Sequence, residues 1–428
     1  MSETETETDV AVAGGGLAGL VTARRLAEAG VDVTLFERRD EVGGRVRSRT
    51  VDGYTLDRGF QVLFTAYPAV REELDLAALD LRSFSPGATI ARPDHRSTLA
   101  DPFRDPGSAL ESAFNTDVSF ADKLRILRLR RALVDEDPDT LFDGPNETIR
   151  EYLERWGFSE RFLDNFAGPF YGGITLDRSL STDAGVFRYT FAMLSRGKTA
   201  VPAAGMGAIP EQLAARAREA GATIETDARV SDVESRDDEV AIALDGETVT
   251  ADAAVVATDP KAARELTGVD DISTAARSCV TQYFAMDERT LDTGRKLILN
   301  AANDRPNTVA PLSAVAPEYA PDDRTLLSAT TLGSPADSDE ELATRTRDAL
   351  ATWYPEHRFD AVDLLATDRI EFAQFDQPRG FRDGLPAVDA PEGPVFLAGD
   401  YTSWSSIQGT MESGQVAAEA VRERVPEL

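Results

Sequence analysis

The tightest constraint on this chain lies in its first forty residues. Val10-Ala11-Val12-Ala13 is a short apolar run, followed by Gly14-Gly15-Gly16-Leu17-Ala18-Gly19. Next comes a segment with Leu17, Leu20 and Val21 on one face that Gly30 closes, then the alternating Val31–Phe36, then Glu37. The run predicts a buried strand, the 3.6-residue spacing an amphipathic helix, and the terminal glycine its C-cap. Strand, G-x-G-x-x-G, helix, strand and acid, with 23 positions from Gly14 to Glu37, match the dinucleotide fingerprint, whose acid falls about 20 residues on. Three glycines permit a tight turn, close approach of a pyrophosphate to the backbone, and tight helix–strand packing. The helix N-terminus adds free N–H groups and partial positive charge. Glu37 is placed to accept hydrogen bonds from a ribose 2′-OH, which disfavours a 2′-phosphate.

Comparable α/β pattern returns twice. Pro210 sits in the first turn of a helix ending at Gly221, followed by predicted strands Ala228–Glu234 and Val240–Leu244, a hairpin at Asp245-Gly246, and the buried run Ala253–Ala257. The last segment is a strand Val395–Ala398, then Gly399-Asp400, then a long helix starting near Gly409. Between these lie two inserts. From about residue 75 the pattern turns to loops and helices. Ser119 with Asp122 opens a helix to about Leu133, Thr148 with Glu151 makes a capping box, and another helix follows Ser181. Residues 266 to 370 read as a second irregular stretch. For 428 residues the length prior is roughly two to three domains. The interleaving predicts two: a discontinuous nucleotide-binding domain of residues 1–75, 205–265 and 370–428, and a second domain of 76–204 and 266–369.

Composition excludes several classes. With 45 Lys+Arg against 75 Asp+Glu and a net charge of −30, the chain lacks the basic stripe that nucleic acid requires. Only Lys123, Lys198, Lys261 and Lys296 are lysines. An acidic, arginine-over-lysine surface is expected of a halophilic protein, whose self-repulsion salt screens. One cysteine, Cys279, excludes a disulfide framework, and His95 and His357 lie too far apart in sequence to suggest a metal pair. The N-terminal residues to Asp9 have no apolar core of a signal peptide, and no run reaches the roughly 20 apolar residues of a membrane span. A cytoplasmic location is the expectation. One local exception is residues 120 to 133, where Lys123, Arg125, Arg128, Arg130 and Arg131 share a helix with Phe120, Leu124, Leu127 and Leu129. Such a basic amphipathic helix is a candidate for peripheral contact with anionic membrane, or an ordinary helix facing acidic surface.

The fingerprint alone does not separate a nicotinamide from a flavin cofactor. Glu41-Val42-Gly43-Gly44-Arg45 and Leu397-Ala398-Gly399-Asp400 go beyond a nicotinamide site. With Asp400-Tyr401-Thr402-Ser403-Trp404-Ser405-Ser406-Ile407-Gln408-Gly409 to Gly414, they resemble the flavin amine oxidase and carotenoid (phytoene) desaturase superfamily. The resemblance brackets nearly the whole chain. It implies an α/β fold: a Rossmann-like FAD-binding domain with an interleaved α+β substrate domain. By resemblance, Gly14, Gly16 and Gly19 cradle the pyrophosphate and Glu37 holds the adenosine ribose. Arg45 contacts the phosphates or ribityl region, Gly44 allows close approach, and the Gly399-Asp400 pair binds the ribityl chain or pyrophosphate. Val230 clamps the adenine through its backbone, within a strand. The helix starting near Gly409 points its N-terminus at the flavin pyrimidine edge. Covalent attachment in some amine oxidases uses a cysteine shortly before the final motif; Cys279 lies far upstream, so FAD is expected to be non-covalent.

The implied reaction is C–H oxidation by hydride transfer to flavin N5. No Ser/His/Asp or paired-carboxylate arrangement is legible, so no general base is named. Substrate-site candidates are Gln61, on the segment resembling the one that runs past the isoalloxazine, Tyr171 beside Gly172-Gly173, and Trp404. Tyr401, like Trp404, lies beside the flavin motif and suits either facing the ring or packing. The aromatics Phe162, Phe166, Phe170, Tyr171, Phe187, Tyr189 and Phe191 suit either core or substrate cage. A lipophilic, isoprenoid-like small molecule is the leading substrate class. Amine oxidation, protoporphyrinogen oxidation, a non-enzymatic escort role like that of the Rab GDP-dissociation inhibitors, and a nicotinamide-linked dehydrogenase stand as alternatives.

Overall fold

The computed structural model describes residues 6–100, 104–105, 107, 115–236, 239–287, 291, 293–359 and 362–425. The architecture is mixed α/β. The strand Thr6–Ala13 sits inside a seven-stranded sheet. It pairs in parallel with Val33–Phe36 on one side and Thr248–Val256 on the other. Thr223–Glu225 and Val395–Leu397 extend the parallel part, and Glu239–Ala243 with Asp232–Arg236 add an antiparallel flank. All three α/β segments of the sequence therefore meet in one sheet. Val10 and Val12 join the larger core on one face, while Ala11 joins a second cluster with Val249 and Leu397 on the other. Burial on both faces is what a parallel sheet demands, and it explains why these strands read as apolar runs.

Helices Leu17–Glu28 and Ile407–Arg424 cross almost in backbone contact. A Cβ on Gly414 would lie 2.5 Å from the Ala18 carbonyl oxygen, and Thr22 donates to Gly414 O at 3.1 Å. Glycine lets the two helices that carry the first and last motifs close on each other.

The second seven-stranded sheet runs Asp363–Phe375, Ala276–Met286, Thr325–Leu332, Thr308–Ala310, Leu297–Asn300, Ala88–Arg92, His95–Leu99. This corrects the reading of residues 266 to 370 as irregular. Ala276–Met286 is buried at every position from Cys279 onward, so it shows no polar alternation to betray a strand. The boundary at 370 also moves, because it falls inside Asp363–Phe375, a strand of this second sheet. Both inserts share the sheet, through the parallel pairing of Ala88–Arg92 with Leu297–Asn300. Helices Phe120–Leu133, Ile149–Arg155, Gly168–Thr175 and Ala184–Arg196 belong to the first insert. Ser119 caps the first of these by accepting from Asp122 N, and Thr148 with Glu151 forms the capping box of the second. Among the described residues no helix is long and apolar enough to cross a membrane.

Candidate active site

A cavity of about 940 Å³ runs from the glycine loop to the aromatic helices of the first insert. At the loop, Gly14 has φ +111°, and a Cβ there would lie 2.6 Å from Ala257 O. Gly16 is the opposite case: its Cβ would meet nothing within 4 Å, because it would project into the cavity. Gly16 is also the N-cap of helix Leu17–Glu28, which has no side-chain cap and no acid in its first turn. The free N–H groups of this helix end, with Leu17 and Ala18 on the wall, make a ready anion site. Gly19 differs from its expected role. It does not line the cavity; its Cβ would lie 2.0 Å from Gly14 O, so it serves packing of helix on loop.

Glu37 follows the second strand, is buried, and faces the cavity. Its Oε2 accepts from Gly15 N at 2.8 Å and its Oε1 from Arg39 N at 3.1 Å. Each oxygen keeps a lone pair for a further donor. Val230 lines the same end, but on the loop before Asp232–Arg236 rather than within a strand. The expected strand began too early because Ala228 N is spent on Glu37 O at 2.9 Å, which turns this stretch toward the loop holding Glu37. Gly44, at φ +60°, packs on the glycine loop; its Cβ would lie 3.3 Å from Gly16 Cα.

Arg45 and Asp400, 355 residues apart, are ion-paired at 2.6 Å. Arg45 also donates to Ala373 O at 3.1 Å, and Ser405 Oγ donates to the other Asp400 oxygen at 2.6 Å. Burial works against the Arg45 charge, but Asp400 beside it raises the guanidinium above the usual arginine value. This pair was not legible in the sequence, since nothing local links the two motifs. Both residues face the cavity, as does Gly399. A Cβ on Gly399 would collide with the Tyr401 ring at 2.3 Å. Tyr401 itself turns into the core, donating to Val256 O at 3.0 Å and Ala398 O at 3.1 Å, so it does not face the cavity.

Gly409 is a second correction. The final helix begins at Ile407, capped by Ser406, whose Oγ accepts from Gly409 N at 2.8 Å. With that amide spent, and a Cβ that would lie 2.2 Å from Trp404 O, Gly409 secures the turn rather than the cavity. Ser405, Ser406 and Ile407 line the cavity in its place.

Gln61 faces the cavity and donates to Arg45 O at 3.0 Å and Arg58 O at 3.2 Å, tying the 58–61 loop to the arginine. Trp404 lines the wall against Tyr67 and Tyr189, its ring 5.0 Å from that of Tyr189. Tyr171 lies in helix Gly168–Thr175 with its ring 4.5 Å from Phe187. Burial pushes its phenol pKa up, and the phenol has no hydrogen-bond partner among the described residues.

Beyond Tyr171 the cavity is aromatic. Phe158, Phe162, Phe166 and Phe170 form a continuous row of rings with centroids 4.4, 5.5 and 5.3 Å apart. A π-helical turn at Leu163–Ala167 lies within this row, a local feature often found at functional sites. The carboxylates facing the cavity are Glu37, Asp259, Glu265 and Asp400; none comes from either insert. Phe120, Ile126 and Leu127 extend the apolar wall to helix Phe120–Leu133. That helix carries Phe120, 76% exposed, with Leu124 and Leu127, three of the four large exposed hydrophobics among the described residues.

Away from the cavity, buried Asp117 accepts from His95 Nε2 at 2.9 Å and from Ser97 Oγ. Both bind the same carboxylate oxygen, so this Ser/His/Asp cluster, unforeseen in the sequence, is not arranged to activate a nucleophile. No cluster of His, Cys, Asp and Glu among the described residues suits a metal ion.

A family model described as flavin containing amine oxidoreductase matches residues 17–422. The 15-cis-phytoene desaturase of an Oncidium hybrid cultivar is 25% identical over 476 aligned positions, covering 96% of this chain and 77% of the desaturase. Among solved structures, an oxidoreductase from Methanosarcina mazei superposes with a TM-score of 0.75 at 20% identity, covering 96% of this chain and all of the other. Putrescine oxidase bound to putrescine superposes with a TM-score of 0.73 at 18% identity, covering 98% of this chain. These likenesses show the shared fold, and the family match spans nearly the whole described chain: it belongs to the flavin-containing amine oxidoreductases.

Proposed function

We propose that this oxidoreductase oxidises a C–H bond of a lipophilic, isoprenoid-like substrate that it collects from an anionic membrane surface. The observation that carries this reading is the aromatic arm of the cavity, free of carboxylates, opening beside the exposed apolar face of helix Phe120–Leu133. A cationic amine would find no counter-charge in that arm. The cations of the same helix stand out in a chain of net charge −30 and suit anionic headgroups.

A flavin is the cofactor that family membership implies, and the residues present fit FAD. The uncapped helix end and the open space at Gly16 suit a pyrophosphate, and the lone pairs of Glu37 suit the adenosine ribose. In this reading Gly14 shapes the turn, Val230 borders the adenine, and Gly44 and Gly399 allow close approach. The Arg45–Asp400 pair meets the ribityl–phosphate region. When bound, the flavin supplies the hydride acceptor. The chain's own part is to orient the substrate with Tyr171, Trp404 and the Gln61 loop, and to exclude water. Attachment is non-covalent: burial pushes the Cys279 thiol up to about 11, which leaves little thiolate to form a bond. Acid precipitation should release the yellow colour; retention on the protein would refute this. In domain terms, the first sheet with its helices forms the FAD-binding unit and the second sheet with the first insert the substrate unit.

Anaerobic mixing of flavin-loaded protein with a polyene isoprenoid, putrescine and protoporphyrinogen tests the reading. Bleaching of the flavin band by the isoprenoid is expected. Bleaching by either of the others, with none by the isoprenoid, overturns it.

A further inference from the structure

Resting on the lipophilic-substrate reading, we infer that the cavity holds a polar subsite, built on Thr308 and Thr330, that takes a neutral oxygen function of the substrate, a hydroxyl or carbonyl. The second sheet sets the two side by side. Thr308 pairs directly with Thr330, and Thr330 with Thr281. Directly opposed residues of antiparallel strands point to the same face, so the three threonines form one row across three strands. On that face Cys279, Ile370, Leu297, Thr308 and Thr330 all line the cavity. Thr281, next in the row, is covered by Gly59, whose Cβ would lie 3.8 Å from its Oγ1. The row thus lies directly beside the 58–61 loop that carries Gln61.

Thr308 is 3% and Thr330 6% exposed, both line the cavity, and neither hydroxyl is bonded to a group of the described residues. Neither is among the side-chain atoms sealed in without a partner, so both hydroxyls are open to the cavity and free to donate and accept. Two such groups, adjacent on the cavity wall, are placed to bond a polar group of an entering ligand. The surroundings supply one more unpaired polar group. Gln374 lines the same cavity and spends its amide nitrogen on Ile174 O at 2.7 Å, leaving its oxygen. Helix Gly168–Thr175 brings Gly173 against Thr308, where a Cβ would lie 3.5 Å from the threonine methyl, so the backbone comes close to the row. All three groups are neutral, and among the described residues no carboxylate or metal-binding cluster stands with them. They can donate to and accept from a hydroxyl or carbonyl, but cannot neutralise an ammonium or a carboxylate. The preferred substrate is therefore an oxygenated lipophile rather than a pure hydrocarbon or an amine.

Titration of the flavin difference spectrum, in high salt, with an isoprenoid hydrocarbon and with the alcohol of the same chain length tests this. Wild type should bind the alcohol about tenfold more tightly, the worth of one or two well-placed hydrogen bonds. Thr308→Val and Thr330→Val should each erase most of that preference with hydrocarbon affinity unchanged, and Thr330→Ser should keep it. A melting temperature equal to or above wild type for both valine variants would show that they fold. Equal binding of the two probes by wild type, or a preference that survives both valine substitutions, overturns the subsite while sparing the lipophilic reading. Failure of wild type to bind either probe overturns both.

Discussion

Gly16 and Gly19 are three residues apart in one motif, yet their surroundings assign them opposite consequences. A side chain at Gly16 meets no protein atom, whereas one at Gly19 meets the Gly14 carbonyl at 2.0 Å. Gly16→Val should fold and lose flavin affinity roughly a hundredfold, about 2.7 kcal/mol, while Gly19→Val should fail to fold. Near-native melting with loss of the flavin band in the first, and absence of cooperative melting in the second, is the pattern to check. Asp57 makes a prediction of another kind. It is buried, accepts from Ser48 Oγ, Met206 N and Tyr319 OH at 2.6, 2.8 and 3.1 Å, and lies just before the 58–61 loop. Burial pushes its pKa from 3.8 to about 6, against the pull of those hydrogen bonds. A carboxyl with a raised folded-state pKa adds stability that is fully present below the unfolded value and lost as pH rises through about 6. Asp57→Asn does not titrate, so relative to wild type its unfolding free energy should improve between pH 4 and pH 7, by at most about 3 kcal/mol. Denaturant melts across that range decide it, and a pH-independent difference would count against the assignment. That an acid, Glu37, stands beside the glycine loop was legible because its position after the second strand is fixed by local order. The pairing of Arg45 with Asp400 was not, because it is made by folding alone.

At the scale of elements, helix Phe120–Leu133 combines a satisfied cap with an unsatisfied face. Ser119→Ala should cost about 1 kcal/mol, as N-cap removal does, measurable as a lower denaturation midpoint. Phe120→Ser with Leu124→Ser should leave the melting temperature within a degree or two, since both side chains are exposed. The same pair should abolish flotation with anionic vesicles in high salt; unchanged flotation would exclude the helix as the contact. Elements with local signals were readable: the caps at Ser119 and Thr148, the glycine loop, the terminal strand. Ala276–Met286 was not, because burial on both faces erases the alternation by which a strand is recognised. The start of the last helix slipped for a similar reason. Ser406 and Gly409 are both plausible openings by composition, and only the hydrogen bond between them shows which one caps.

For the whole molecule, the ion pairs among the described residues use arginine throughout, apart from Lys296–Asp105 and His95–Asp117. With a net charge of −30, self-repulsion in dilute buffer spans a long Debye length, about 30 Å at 0.01 M against about 3 Å at 1 M. Melting temperature should rise with salt from dilute buffer to molar concentrations; a flat profile would remove the case for salt adaptation. What the sequence by itself determined was whatever short-range order encodes: the strand–loop–helix unit with its acid, the helix caps, the closing Gly399-Asp400 motif, and the recurrence of α/β pattern in three places. What only the tertiary structure decided was how distant segments meet. It joined the two inserts in one sheet, closed Arg45 on Asp400, turned Tyr401 into the core, and set Thr308 beside Thr330 on a cavity wall. The reason is physical: propensity and capping act over a few residues, whereas a site's chemistry depends on side chains hundreds of positions apart whose approach is fixed by sheet register and burial.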